Sequence, residues 1–245
     1  MSDLHLGQHI SRRFNEELEE VRTKVLHMGG IVESQLANAL RVMVNDESEL
    51  AKEVVKADHT VNSLEVDIDE ECTRIVALRQ PAATDLRLIM AVTKTITDLE
   101  RMGDESKRIA KMSRKEMDGA LDDDLRADME YMGEMVRNML RQVLDSFART
   151  DVDTAILVVK ADKKVDKKYK KILKKLIKQM SADPEIIPSV MKIIWAIRAL
   201  ERLADRCQNI AEHVIYMVLG MDVRHIKLDD VLAEIEAQLE EESVD

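Results

Sequence analysis

The sequence contains an internal repeat, and this repeat constrains the fold more than any other feature. A twelve-residue stretch that begins at Leu99 returns at Leu200 with six positions unchanged. Val54–Asp58 is identical to Val158–Asp162. The offsets are 101 and 104 residues, so the halves differ in length by a few loop residues. This self-similarity predicts a tandem duplication, in which each half is a bundle of about 100 residues.

Apolar residues recur at three- and four-residue steps through most of the chain, as on the buried face of a helix. Only 3 Pro and 7 Gly interrupt the 245 residues, and aromatic residues make up 2%, so aliphatic residues and Met must form the core. We therefore predict an all-α fold of two tandem three-helix bundles with six long helices. The predicted domains are 1–118 and 119–225, followed by a short acidic helical extension at 226–245.

Acidic and amide side chains occupy positions that this pattern assigns to the buried faces, or to their margins. In each half, two helices carry such residues four apart, so the two side chains lie on one side of the helix. The candidates are Asp58, Asn62, Glu100 and Asp104 in the first half, and Asp162, Asp166, Glu201 and Asp205 in the second. A buried carboxylate is unfavourable unless it is paired or binds a metal, so each group needs a partner.

Three kinds of partner remain open. Arg101 and Arg202 follow the glutamates directly, which places them about 100° around the helix, but an arginine from another helix would serve. Protonation would require strongly raised pKa values. The third partner is a divalent or trivalent hard metal ion, with Mg, Mn, Fe, Ca and Zn as candidates. A ferritin-like di-iron site is disfavoured because Gly103 and Ala204 stand where its E-x-x-H histidines would be.

Charge and cysteine content exclude several functional classes. The net charge of −11 argues against nucleic acid as the main partner. No apolar run is long enough to span a bilayer, and no secretory signal is visible. Cys72 and Cys207 have no C-x-x-C partner, so we expect reduced thiols and a cytoplasmic protein. Six histidines are scattered along the chain, of which His9, His27 and His59 share no ligand spacing, and we expect solvated or capping roles for them.

The second helix of the second half is strongly basic. Ten lysines lie between Lys160 and Lys178, whereas the matching helix is acidic from Asp58 to Glu71. A solvated helix face would explain these lysines, and so would a surface for an acidic partner. The candidate partner-binding residues are Lys163, Lys164, Lys167, Lys168, Lys171 and Lys174.

Several of these motifs together resemble the PhoU family of bacterial phosphate-signalling proteins. They are the two L-E-R-x-x-D-x-x-x-x-I-A stretches, Gln80-Pro81 followed by Asp85-Leu86-Arg87, and Asp222-Val223-Arg224-His225. The resemblance implies that E/D-x-x-x-D motifs bind metal ions on a bundle surface. Glu100/Asp104, Glu201/Asp205 and Asp162/Asp166 match that motif, whereas Asp58/Asn62 departs from it at its second residue.

The resemblance also implies a function. PhoU-like proteins are cytoplasmic adaptors, not enzymes, that couple the phosphate ABC transporter to a sensor histidine kinase and hold the phosphate-starvation response off. We accordingly expect contacts with that kinase and with the transporter ATPase subunit, a homodimer, and at most peripheral membrane association through partners. The alternative that the residues leave open is a carboxylate-metal enzyme or a metal-storage bundle.

Overall fold

A computed structural model describes residues 12–45, 47–112, 117, 120–224 and 226 of the chain. These residues form six long α-helices without a β-strand, which confirms the all-α prediction. A short 3₁₀ helix, Pro184–Ile186, precedes the last helix. The helices are α1 Arg12–Asn45, α2 Leu50–Arg79, α3 Ala83–Ala110, α4 Asp123–Arg149, α5 Val152–Ala182 and α6 Ile187–Leu219.

Local sequence signals set several helix ends. Helix α2 stops at Gln80, which has a left-handed backbone (φ 48°) and precedes Pro81. Gly220 (φ 75°) ends α6 in the same conformation. Asp122 and Asp151 cap α4 and α5, and each side chain accepts a hydrogen bond from a backbone N–H three residues on.

The two halves form two bundles that pack on each other. Helices α1, α2 and α3 contact one another, as do α4, α5 and α6. The halves meet where α3 lies against α6 and α1 lies against α4. The predicted tandem bundles are thus confirmed. The predicted boundary at 118–119 lies outside the described residues, and so does the extension at 226–245 except for Ile226.

An approximate two-fold relation between the halves is visible where α1 meets α4. A Cβ added at Gly29 would clash with the Leu144 side chain, and one added at Gly133 would clash with Leu40 in the same way. Both pairs are related by the 104-residue offset. These two glycines therefore let the helices approach closely, and equivalent residues occupy equivalent places in the two halves.

The core contains mostly aliphatic side chains and Met, with Phe14 and Phe147 as its buried aromatic residues among those described. The exceptions are informative, because a buried charged group requires a specific environment. The buried acids among the described residues are Glu17, Asp58, Glu71, Asp85, Asp98, Asp162 and Glu201.

Candidate functional site

In the first half, a lysine lies between two of the candidate acids. Asp58 on α2 is 2% exposed, and its Oδ2 accepts a hydrogen bond of 2.6 Å from Lys107 Nζ on α3. The same ammonium is 2.6 Å from Asp104 Oδ1. Burial opposes the charge on Lys107, but the hydrogen bonds to Asp104 and Asp58 raise its pKa above the usual value. The chain itself thus supplies a cation to this cluster.

The other two candidate residues of the first half lie at the edge of this cluster. Glu100 is half-buried, and burial together with the charges of Asp104, Glu65 and Asp58 raises its pKa above the usual value. Asn62 is exposed. Asp58 keeps one buried oxygen, Oδ1, without a hydrogen-bond partner among the described residues. The first cluster is therefore only partly satisfied by Lys107.

In the second half, no ammonium of the described residues bridges α5 and α6 at the corresponding acids. Asp162 on α5 is 8% exposed and Glu201 on α6 is 9% exposed, so both predicted positions are indeed buried. Asp162 Oδ1 and Glu201 Oε2 have no hydrogen-bond partner in the described part of the chain. Asp205 is exposed and Asp166 is half-buried, with Lys170 Nζ 3.7 Å from Asp166 Oδ2.

The acids of the second cluster repel one another. Burial, followed by the charges of Asp205, Asp166 and Glu201, raises the pKa of Asp162 to about 7. Burial and Asp205 also raise the pKa of Glu201, against the opposing charge of Arg198. The pKa of Asp205 is raised by desolvation and by Asp166. A cation placed among these groups would relieve this repulsion.

Two residue differences between the halves explain why the acids of the two clusters have different partners. Gln208 stands where the 101-residue offset places the counterpart of Lys107, and it donates a hydrogen bond to Glu212 Oε1 at 2.8 Å. Arg198, the counterpart of Thr97, forms an ion pair with Glu201 Oε1 and lies 6.0 Å from the ring of Tyr169. The partner of Glu201 is thus an arginine one turn before it, not the neighbouring Arg202.

The chemistry of these side chains fits a hard cation, because the second cluster offers carboxylate oxygens as ligands. Two of these oxygens are buried without a hydrogen-bond partner among the described residues. Within the described residues, no three Asp, Glu, His or Cys side chains stand together as a preformed metal cage. Metal binding at either cluster accordingly stays a prediction. The residues that could hold an ion are those that the sequence analysis identified in each half.

A buried network between the halves was missed by the sequence analysis. Asp98 on α3 accepts hydrogen bonds from Arg206 (3.2 Å) and Asn209 (3.3 Å) on α6, and its Oδ2 lies 3.2 Å from His213 Nε2. His213 is buried, so the expected solvated or capping role is wrong for it. A signal existed: Arg206, Asn209 and His213 follow one another at three- and four-residue steps on one helix face.

The candidate lysine surface is mostly exposed. Lys163, Lys164, Lys167, Lys171 and Lys174 are exposed, and no acidic oxygen of the described residues lies within 4 Å of their ammonium groups. Lys168 differs: its Nζ is 2.5 Å from Asp128 Oδ1 and 4.9 Å from the centre of the Tyr131 ring. Five of the six predicted lysines thus form one exposed face of α5, and Lys168 packs against α4.

Across the helices that the structure describes, none is both long enough and apolar enough to cross a bilayer.

Comparison with known proteins identifies the family. The PhoU domain matches residues 25–113 and again 129–214, once in each half. The chain is 45% identical over 236 residues to the phosphate-specific transport system accessory protein PhoU of Escherichia coli, covering 95% of this chain and 98% of that protein. It is 46% identical over 231 residues to the PhoU homologue of Pseudomonas putida, covering 94% and 90% of the two chains. The crystal structure of PhoU from Pseudomonas aeruginosa superposes with a TM-score of 0.81 at 44% identity, covering 85% of this chain and all of that one. This chain belongs to the PhoU family.

Proposed function

We propose that this chain is a cytoplasmic accessory protein of phosphate transport that represses the phosphate-starvation response. It acts by binding rather than by catalysis, and it couples the phosphate ABC transporter to a sensor histidine kinase. The observation that carries the proposal is the match of both halves to the PhoU domain, together with close relatives that are named as accessory proteins of phosphate transport.

The surfaces of the molecule support an adaptor role. The lysine face of α5 is exposed, while the matching positions on α2 include Thr60, Ser63 and Asp67. One half therefore carries a positive face that the other lacks, and a single-sign face steers an oppositely charged partner during encounter. We propose the kinase and the transporter ATPase subunit as partners, and a homodimer as the assembly.

We also propose that hard metal ions bind at the two acid clusters. The residues that would hold the ion are Asp162, Asp166, Glu201 and Asp205 in the second half, and Asp58, Asn62, Glu100 and Asp104 in the first. A bound ion would supply positive charge to carboxylates that otherwise repel one another. Asp162 and Glu201 bring unpartnered buried oxygens from α5 and α6, so binding there would fix how these two helices pack.

Deletion of the gene tests the repressor function directly. We expect phosphate-scavenging genes to be expressed in phosphate-rich medium in the deletion strain, and to be silent again when the gene is restored. A deletion strain that keeps these genes silent would contradict the adaptor function. Redox turnover by the purified metal-loaded protein would instead favour a carboxylate-metal enzyme.

The lysine face is tested by two variants with the same charge change. Lys164→Gln/Lys167→Gln removes two positive charges from α5, and Thr60→Glu/Ser63→Glu adds two negative charges at the matching positions of α2. We expect the first variant to slow association with the kinase or the ATPase subunit and to weaken its salt dependence, as measured by stopped flow at several salt concentrations. Equal slowing by both variants would mean that net charge, not the α5 face, steers the encounter.

A further inference from the structure

The interface between α3 and α6, called the seam below, has two ends that are related by the approximate two-fold symmetry between the halves. Different side chains occupy these two ends. At one end lies the buried network in which Asp98 meets Arg206, Asn209 and His213. At the other end lies an open groove of about 390 Å³. Its lining contains the counterparts of all four network residues at the 101-residue offset, namely Ala199, Glu105, Arg108 and Met112.

The groove exists because of these replacements. Ala199 stands where Asp98 stands at the other end, and it is buried as the floor of the groove. The counterpart of the Asp98 carboxylate is therefore missing from this end of the seam. Trp195, the only Trp in the chain and 50% exposed, forms part of the lining at the counterpart position of Lys94.

The rim of the groove carries more positive than negative charge. Glu105 accepts hydrogen bonds from Arg108 at 2.9 and 3.0 Å and from Arg202 at 3.0 Å, so one carboxylate serves two guanidinium groups. Arg198 also lines the groove and pairs with Glu201. The three arginines are 44–54% exposed, which leaves N–H groups directed to solvent.

We infer that this groove, lined by Trp195, Met112 and Ala199 and rimmed by Arg108, Arg198 and Arg202, docks an acidic protein segment that carries an apolar side chain. The apolar side chain would pack against Trp195 and Met112 over Ala199. A carboxylate of the segment would pair with the arginines, in the role that the chain's own Asp98 has at the other end.

The residues that line the groove favour a protein segment over a small anion as its ligand. Trp and Arg are among the residue types most enriched at binding hot spots, and a half-exposed Trp beside Met offers apolar area that a phosphate ion cannot use. Guanidinium groups pair with carboxylates in a planar, two-pronged geometry. The inference rests on the proposed adaptor function, because its partner would be the kinase or the ATPase subunit.

The single Trp provides the test. The purified chain is titrated with the cytoplasmic part of the sensor kinase and, separately, with the ATPase subunit. Trp fluorescence and calorimetry follow the binding. We expect one of the two proteins to shift the emission of Trp195. Trp195→Ala should weaken that binding about thirtyfold and Arg202→Gln about tenfold. The matched controls Lys94→Ala and Arg101→Gln, at the two-fold related positions, should change it less than about threefold.

The outcomes separate the two proposals. Binding that is unchanged in Trp195→Ala, with the variant folded by circular dichroism, would overturn the groove and leave the adaptor function standing. Binding of neither protein would contradict both. Competition by millimolar inorganic phosphate or ATP, with a matching change in Trp195 emission, would assign the groove to a small anion and overturn the inference.

Discussion

The two acid clusters descend from one pattern, yet they satisfy their charges differently. In the first half, Lys107 places its ammonium 2.6 Å from both Asp58 and Asp104. In the second half, Gln208 takes that position and four carboxylates share the space with Arg198. The backbone arrangement is retained, while the residue at position 107 or 208, on the third helix of each half, determines whether an ammonium reaches the buried aspartate of the second helix.

From this contrast we predict which cluster depends more on a cation from outside the chain. A carboxylate with a lysine partner is stabilised by a charge of the chain itself, and breaking that pair is costly. A carboxylate whose pKa is raised to about 7 by burial and like charges is strained at neutral pH unless a proton or a cation arrives. We therefore expect the second half to respond to metal and pH more than the first.

The largest effect is expected from removal of the internal cation. Lys107→Met should lower the free energy of unfolding by about 2–4 kcal/mol, because it leaves the buried Asp58 beside Asp104 without compensation. Gln208→Met at the matching position should cost less than about 1 kcal/mol, since no buried carboxylate loses a charged partner. Urea unfolding at pH 8 measures both. Equal losses would show that the two positions are not functionally different.

A smaller effect is expected from the pH dependence of the second cluster. Folded Asp162 keeps its proton up to about pH 7, whereas the unfolded chain loses it at about pH 4. The folded state therefore binds more protons in this interval, and its stability falls as pH rises. Without metal, Asp162→Asn should be more stable than the wild type by about 1–3 kcal/mol at pH 8 and nearly equal to it at pH 4. A constant difference across pH 4–8 would refute the raised pKa.

The smallest effect is expected from transplanting the lysine. Gln208→Lys should bring an ammonium to the second cluster and stabilise the metal-free protein by about 1 kcal/mol at pH 8. It should also flatten the pH dependence, because the new charge favours ionised Asp162. Thermal unfolding at pH 5 and pH 8 measures both changes. Loss of stability at pH 8 would indicate that the two clusters are not equivalent in geometry.

Much of this arrangement could be predicted from the sequence, because it depends on local spacing. The internal repeat and the helical spacing of the apolar residues predicted two helical bundles. The same spacing predicted that Asp162 and Glu201 lie on buried helix faces, as they do. The role of Lys107 was missed, since it depends on how α2 and α3 dock. The Asp98 network was missed for the same reason: His213 lies 115 residues away, on a helix of the other half.

We predict that the second cluster needs an external cation more than the first. Mn²⁺ binding, followed by electron paramagnetic resonance, tests it in the wild type and in the matched pairs Glu201→Gln/Asp205→Asn and Glu100→Gln/Asp104→Asn. We expect the second-half pair to lose most of the tight binding, with affinity at least about tenfold weaker, and the first-half pair to lose much less. Equal binding by the wild type and the second-half variant, or a larger loss in the first-half variant, would show that the second cluster does not depend on an external cation more than the first.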